Sequence, residues 1–151
     1  MSIEDRLADL GIDLPPVVKP VAAYVPAIQV GDQISTSGQL PLVSGSLPMT
    51  GLVGDQISQG DAAGQARVAA LNALAAAADV AGGVNNIRRV VRVVVYVAST
   101  ADFTAQPAVA NGASELFGEI FGDAGRHIRS AIGVASLPLG APVKVELTVQ
   151  V

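Results

Sequence analysis

The spacing of apolar residues along the chain predicts two long helices. From Ser58 to about Val80, alanine and leucine recur every three or four residues, which is the spacing of one buried face of a helix. Ser58 is a favourable residue for the N-cap of this helix, and Gly82 follows as a stop. A second helix is predicted over about 107–121, with proline near its first turn and glycine just after it.

Extended segments surround these helices. The runs 21–30 and 33–40 are separated by Gly31-Asp32, which is typical of the turn of a β-hairpin. A valine-rich run over 87–97 predicts a third strand. Two further runs flank the loop 137–142, where two prolines and a glycine interrupt a strand. The order strand, strand, helix, strand, helix, strand, strand predicts an α+β fold with both helices on one face of the sheet.

The first twenty residues form an extension ahead of this pattern. Ser2 and Asp5 have the spacing of a capping arrangement for a short helix that Gly11 ends. Pro15, Pro16 and Pro20 then disfavour a helix. We therefore expect one domain over 1–151, in which 1–20 is an N-terminal extension with a short helix.

Composition and charge exclude several classes of function. The formal net charge of −4 gives a phosphate backbone no broad attraction, which argues against a nucleic-acid partner. No cysteine is present and His127 is the single histidine, so thiolate chemistry and a histidine-rich metal site within one chain are excluded. The chain shows no secretory signal pattern and no apolar run long enough to span a bilayer, so we expect a cytoplasmic protein without a membrane partner.

The strand pattern also predicts self-association. Runs such as 90–97 are apolar at both alternating sets of positions, so both faces of the sheet should be apolar. Two helices cover only one face. Burial of the other face against copies of the same chain predicts a closed homo-oligomer whose subunit number this reasoning does not fix.

Charged residues lie within the last two strands. Arg129 precedes the loop 137–142, and Lys144 and Glu146 follow it. A guanidinium matches a carboxylate with two parallel hydrogen bonds. Arg129 could therefore pair with Glu146 in a structural ion pair between strands or subunits, or bind a carboxylate supplied by a substrate.

Several motifs carry a resemblance to a known family. They are Tyr24, Ser37-Gly38-Gln39-Leu40-Pro41, Asn111, Arg129-Ser130-Ala131, Leu137-Pro138 and Val145-Glu146. In these motifs the chain resembles the YjgF family of reactive-intermediate (enamine/imine) deaminases, which is also labelled endoribonuclease L-PSP or translation inhibitor. The chain looks like an uncharacterised branch of this family. The resemblance implies a chorismate-mutase-like mixed sheet, assembly as a trimeric barrel, a ligand cleft between subunits and no cofactor.

The resemblance also implies the site and its chemistry. The reaction would be hydrolysis of a 2-aminoacrylate-type enamine or imine to a 2-keto acid and ammonia, with Arg129 holding the carboxylate and Glu146 as the candidate acid or base. The residues implied to line the cleft are Tyr24, Ser37, Gly38, Asn111, Arg129, Ala131 and Lys144.

Two positions depart from the family pattern. The family's glutamate beside the reactive water corresponds to Lys144, and a protonated lysine cannot accept a proton from water. Ala131 replaces the cysteine of the deaminase branch. Non-catalytic binding of a keto acid or a related carboxylate is therefore an alternative to the deaminase, with Lys144 as a second cation. An endoribonuclease is a third hypothesis, which the acidic charge and scarce aromatic residues disfavour.

Overall fold

The computed structural model describes all 151 residues and contains the predicted order of elements. The helices are α1 (Ile3–Asp9), α2 (Gln59–Ala81) and α3 (Gln106–Phe121). The strands are β1 (Ala27–Val30), β2 (Gln33–Thr36), β3 (Arg89–Ala98), β4 (Ile128–Val134) and β5 (Val143–Gln150). Short 3₁₀ turns lie at Val84–Asn86, Gly122–Gly125 and Pro138–Gly140.

The five strands form one mixed sheet in the order β1-β2-β5-β3-β4. β3 and β4 are parallel and are connected through α3, whereas the other neighbouring strands are antiparallel. β5 therefore separates β2 from β3, although it follows both in the chain. β4 lies at an edge of the sheet.

The core lies between one face of the sheet and the helices α2 and α3. Val145 and Leu147 of β5 are buried in one hydrophobic cluster with Ala73 of α2 and Phe117 of α3. The prediction that both helices cover the same face is confirmed. Local signals define α2: the Ser58 side chain accepts a hydrogen bond from the Asp61 amide over 3.1 Å, and α2 ends at a left-handed glycine.

The hairpin is shorter than predicted. β1 begins at Ala27 rather than at residue 21, and β2 ends at Thr36 rather than at residue 40. Pro20 and Pro26 provide no amide hydrogen for a ladder, so the segment between them does not join the sheet. Gly31 supplies the predicted turn with a φ of 60°.

The other face of the sheet is less apolar than predicted. β5 alternates strictly between buried apolar residues and half-buried polar ones, so Lys144, Glu146 and Thr148 point away from the helices. The prediction from the run 90–97 was wrong because β3 has a bulge between Val90 and Arg92. The bulge shifts the register, so alternate positions of the sequence do not stay on one face throughout the run. Large apolar side chains are nevertheless exposed on this face at Ile28 (58%), Val30 (72%), Ile128 (63%) and Ile132 (42%).

The N-terminal extension packs against the helical layer. α1 has the predicted capping box between Ser2 and Asp5, and Leu7 is buried. The Arg6 side chain donates to the carbonyl of Glu119 over 2.8 Å. No helix of the chain combines the length and the apolar character that crossing a bilayer requires.

Candidate functional site

Arg129 lies on the edge strand β4 and turns its side chain toward α3. Its Nη1 donates to Oδ1 of Asn111 over 2.7 Å and to Oγ of Ser114 over 3.1 Å, and its Nη2 donates to the carbonyl of Pro107 over 3.2 Å. The three acceptors follow one face of the first turns of α3. The guanidinium is thus held from one side while the residue remains exposed to solvent.

Behind this arginine, His127 completes a chain of hydrogen bonds. Its Nε2 lies 2.9 Å from Oγ of Ser114, and its Nδ1 lies 2.6 Å from the carbonyl of Gly125. The imidazole also stands edge-on to Phe117, with ring centroids 6.1 Å apart. Both ring nitrogens therefore have partners within the chain.

An open polar groove runs beside the guanidinium. No hydrophobic side chain lines it, so it suits an ionic or strongly polar group better than an apolar one. The residues that line it are Ser114, Gly118, Gly122, Gly125, Arg126, His127 and Arg129.

The structure excludes an ion pair between Arg129 and Glu146 within one chain. β3 lies between their strands, so the two backbones are about 10 Å apart. Arg129 pairs in register with Val93 and Glu146 with Val94, so the two side chains also point to opposite faces. Because β4 is an edge strand and Arg129 is exposed, its charge is not buried in the interior of the protein.

A second group of predicted site residues lies on the face of the sheet away from the helices. The stem of Lys144 lies over Gly38, since a Cβ built on Gly38 would be 2.0 Å from Cε of Lys144. Ser37 adjoins this contact, and its hydroxyl accepts from Nε2 of Gln39 over 3.2 Å. The pairing of Gln39 with Val145 brings these two segments together.

Glu146 belongs to this second group and is engaged by a tyrosine. The hydroxyl of Tyr96 donates to Oε1 of Glu146 over 3.1 Å. Burial raises the pKa of Tyr96, and the hydrogen bond to the Glu146 carboxylate and its negative charge raise it further, against the opposing effect of Arg92. Tyr96 is also the register partner of Lys144, so Tyr96, Lys144 and Glu146 share this face of the sheet.

Comparison with known proteins identifies the family. A family model described as "YjgF/chorismate_mutase-like, putative endoribonuclease" matches residues 4–151. The chain belongs to the YjgF family. The match includes most of the residues that we describe as an N-terminal extension.

Individual proteins match the chain over most of its length. Protein TCP17 of Trypanosoma cruzi is 40% identical over 146 residues, which are 96% of this chain and 91% of that protein. The crystal structure of a protein of unknown function from Agrobacterium tumefaciens is 41% identical with a TM-score of 0.89, covering 99% of this chain and 92% of its own. The YjgF gene product of Escherichia coli is 26% identical to this chain. Its crystal structure matches with a TM-score of 0.65 over 89% of this chain and 92% of the other. The fold is thus the chorismate-mutase-like α+β arrangement of the YjgF family.

Within the chain, the predicted site residues form two separate groups. Asn111 and Ala131 lie with Arg129 on the helical side of β4, whereas Ser37, Gly38, Lys144 and Glu146 lie together on the opposite side of β5. Tyr24 lies outside the strands, is 56% exposed, and its hydroxyl makes no hydrogen bond to a residue of either group. No three acidic or histidine side chains are grouped to hold a metal ion.

Sequence reasoning missed Ser114 and Tyr96 as members of these groups. Ser114 could have been found, because it follows Asn111 by three residues and therefore shares its helix face. Tyr96 gave only the weak signal of a polar aromatic residue in a valine run. Its contact with Glu146 depends on the strand order, which no local pattern reveals.

Proposed function

We propose that this YjgF-family protein forms homotrimers and binds small carboxylate metabolites, of the 2-keto acid or 2-aminoacrylate class, in the clefts between protomers. The observation that carries the proposal is the exposed guanidinium of Arg129. Its three hydrogen bonds to α3 leave N–H groups without partners, and no carboxylate of the chain pairs with it. A carboxylate ligand would complete its hydrogen bonding.

The separation of the two groups supports a site shared between protomers. Arg129 and Asn111 lie on one side of the sheet, whereas Lys144 and Glu146 lie on the other. Only an edge of one protomer meeting the open face of another could unite them. The exposed Ile28 and Ile128 supply apolar surface for such a contact.

Hydrolysis of an enamine or imine is the reaction that this site would support. Once the enamine has tautomerised to the imine, water adds to the C=N carbon, ammonia leaves and a 2-keto acid remains. Oε1 of Glu146 accepts from Tyr96, which leaves Oε2 to take a proton from water and return it to the leaving nitrogen. Arg129 would fix the carboxylate, so that the enzyme contributes positioning and proton transfer without a covalent nucleophile.

Non-catalytic binding is the second candidate, and Lys144 favours it. Lys144 is at the sequence position where the family resemblance implies the glutamate beside water, and it makes no ion pair within the chain. It would add a second positive charge for an anionic ligand rather than a base. A ribonuclease role has less support, because both nitrogens of the single histidine already have partners.

Two measurements test the proposal. Calorimetric titration with 2-ketobutyrate should give one site per protomer, and light scattering should give a trimer. Arg129→Ala should weaken binding at least tenfold, because the ligand loses a charge-assisted bidentate contact. Arg67→Ala is the matched control, since Arg67 pairs with Glu119 on the helices over 3.2 Å. Equal affinity in Arg129→Ala and the parent protein would refute the proposal.

A separate assay distinguishes catalysis from binding. It measures the release of ammonia from enzymatically generated 2-aminoacrylate.

A further inference from the structure

We infer that Ser114 and His127 are positioning residues that fix the guanidinium of Arg129 so that a carboxylate is bound side-on, through Nε and Nη2. The inference rests on the proposed function, in which Arg129 holds the carboxylate. It adds two residues and an orientation to that site.

The orientation follows from the donors of the guanidinium. An arginine side chain has five N–H groups: one on Nε and two on each terminal nitrogen. Nη1 has two acceptors, Asn111 at 2.7 Å and Ser114 at 3.1 Å, which is one for each of its hydrogens, and Nη2 has one acceptor, the carbonyl of Pro107 at 3.2 Å. The hydrogen on Nε and one on Nη2 remain. These two donors can form a parallel pair on one side of the guanidinium, which matches the two oxygens of a carboxylate.

The donor and acceptor roles in these hydrogen bonds determine how His127 affects Arg129. A carbonyl oxygen only accepts, so Nδ1 must carry the hydrogen directed to Gly125. In the neutral ring Nε2 is then an acceptor, and it takes the hydroxyl hydrogen of Ser114. The lone pairs of the Ser114 oxygen are thereby turned toward Arg129. His127 thus acts on the guanidinium through the serine and does not touch it.

Two contacts fix the imidazole itself. Phe117 is fully buried and meets the ring edge-on. Gly125 lies so close to α3 that a Cβ on it would be 2.3 Å from the carbonyl oxygen of Phe117. A glycine is therefore needed here to hold the carbonyl of Gly125 within reach of Nδ1 of His127. The chain of contacts from α3 to Arg129 therefore leaves little freedom at any step.

A purely structural role, tying α3 to β4, is the competing explanation. The two roles differ in what happens when Arg129 is absent. A structural tie would affect ligand binding and stability in any background, whereas a positioning role acts on binding only through the arginine.

The test compares the affinity for 2-ketobutyrate of full-length variants. Ser114→Ala and His127→Asn should each weaken binding about two- to tenfold, because the ligand must then order the side chain of Arg129 on binding. Ser114→Thr should retain most of the parent affinity. In an Arg129→Lys background, Ser114→Ala should have no further effect, because the lysine has no fork to orient. An equal loss in both backgrounds, or no loss in either, overturns the inference.

An NMR measurement separates this inference from the proposed function. If the parent protein binds no keto acid, the proposed function fails, but the orientation of the guanidinium can still be observed. Separate Nη1 and Nη2 signals for Arg129 in the parent protein and in Ser114→Thr, merging in Ser114→Ala, would show that Ser114 restricts rotation. Signals that remain unchanged in Ser114→Ala would overturn the positioning role.

Discussion

The hydroxyl of Tyr96 donates to Oε1 of Glu146 across two neighbouring strands, over 3.1 Å. Burial and the neighbouring carboxylate both raise the pKa of this phenol above its ordinary value of 10.0. In a Tyr24→Phe variant Tyr96 is the one remaining tyrosine, so tyrosinate absorbance reports it alone. We expect its titration above pH 10, and a shift back toward lower pH in Glu146→Gln, where the negative charge is gone. If Tyr96 titrates at the pH of free tyrosine both in Tyr24→Phe and in the double variant with Glu146→Gln, the hydrogen bond is contradicted.

The same raised pKa predicts how stability changes with pH. Between the pKa of the unfolded phenol, about 10, and the higher folded value, the unfolded chain releases its proton first. The contribution of Tyr96 is therefore fully present below about pH 10 and is lost as the pH rises through the folded pKa. Urea unfolding of the parent protein and Tyr96→Phe across this range should show a difference that narrows at high pH. A constant difference would exclude the linkage.

Gly38 should control the position of Lys144. A methyl group at Gly38 would fall 2.0 Å from Cε of the lysine, and this flexible side chain would move away. We expect Gly38→Ala and Lys144→Met to weaken binding of a keto acid by similar factors, about three- to tenfold for a charge contact near the surface. The double variant should bind no more weakly than either single variant. Additive losses, measured by calorimetry, would show that the two residues act independently.

Exchange of Lys144 for glutamate tests the catalytic half of the proposal. Lys144→Glu places a carboxylate where the family resemblance implies the glutamate beside water, so ammonia release from 2-aminoacrylate should increase by an order of magnitude or more. Lys144→Gln removes the positive charge without adding a base, and should not reproduce the gain. Activity of Lys144→Glu equal to that of the glutamine variant would assign the proton transfer to another group.

Two glycines of α3 provide a matched pair for stability. A Cβ on Gly112 would lie 1.9 Å from the backbone oxygen of Ala63, so Gly112→Ala must push α2 and α3 apart and should cost about 2–4 kcal/mol of unfolding free energy. A Cβ on Gly118 meets nothing within 4 Å, and Gly118→Ala should stabilise the helix by up to about 1 kcal/mol. Urea unfolding at one protein concentration measures both. Equal effects would refute the close helix contact.

The sequence predicted the elements that depend on local chemistry. The Ser58 cap, the alanine face of α2 and the glycine that ends it are signals within a few residues of one another, and the helix occurs where they place it. The α+β order and the helices on one face followed from such signals. The family motifs indicated Arg129 and Asn111, which the structure joins over 2.7 Å.

What the sequence could not provide depends on strand order. The position of β4 at the edge makes Arg129 exposed, and the insertion of β3 between β4 and β5 separates it from Glu146. Both facts concern contacts between distant segments, which local patterns do not encode. The contact of Lys144 with Gly38 likewise depends on the pairing of Gln39 with Val145.

The location of β5 has a consequence for how the molecule is made. This strand is synthesised after the other four, yet it joins β2 to β3 and contributes Val143, Val145, Leu147 and Val149 to the interior. A nascent chain that lacks it would leave the β1-β2 hairpin without a neighbour, so the two halves of the sheet could not unite. We therefore expect folding to be completed only after β5 has left the ribosome, and a chain that ends shortly before Val143 should form no native protein.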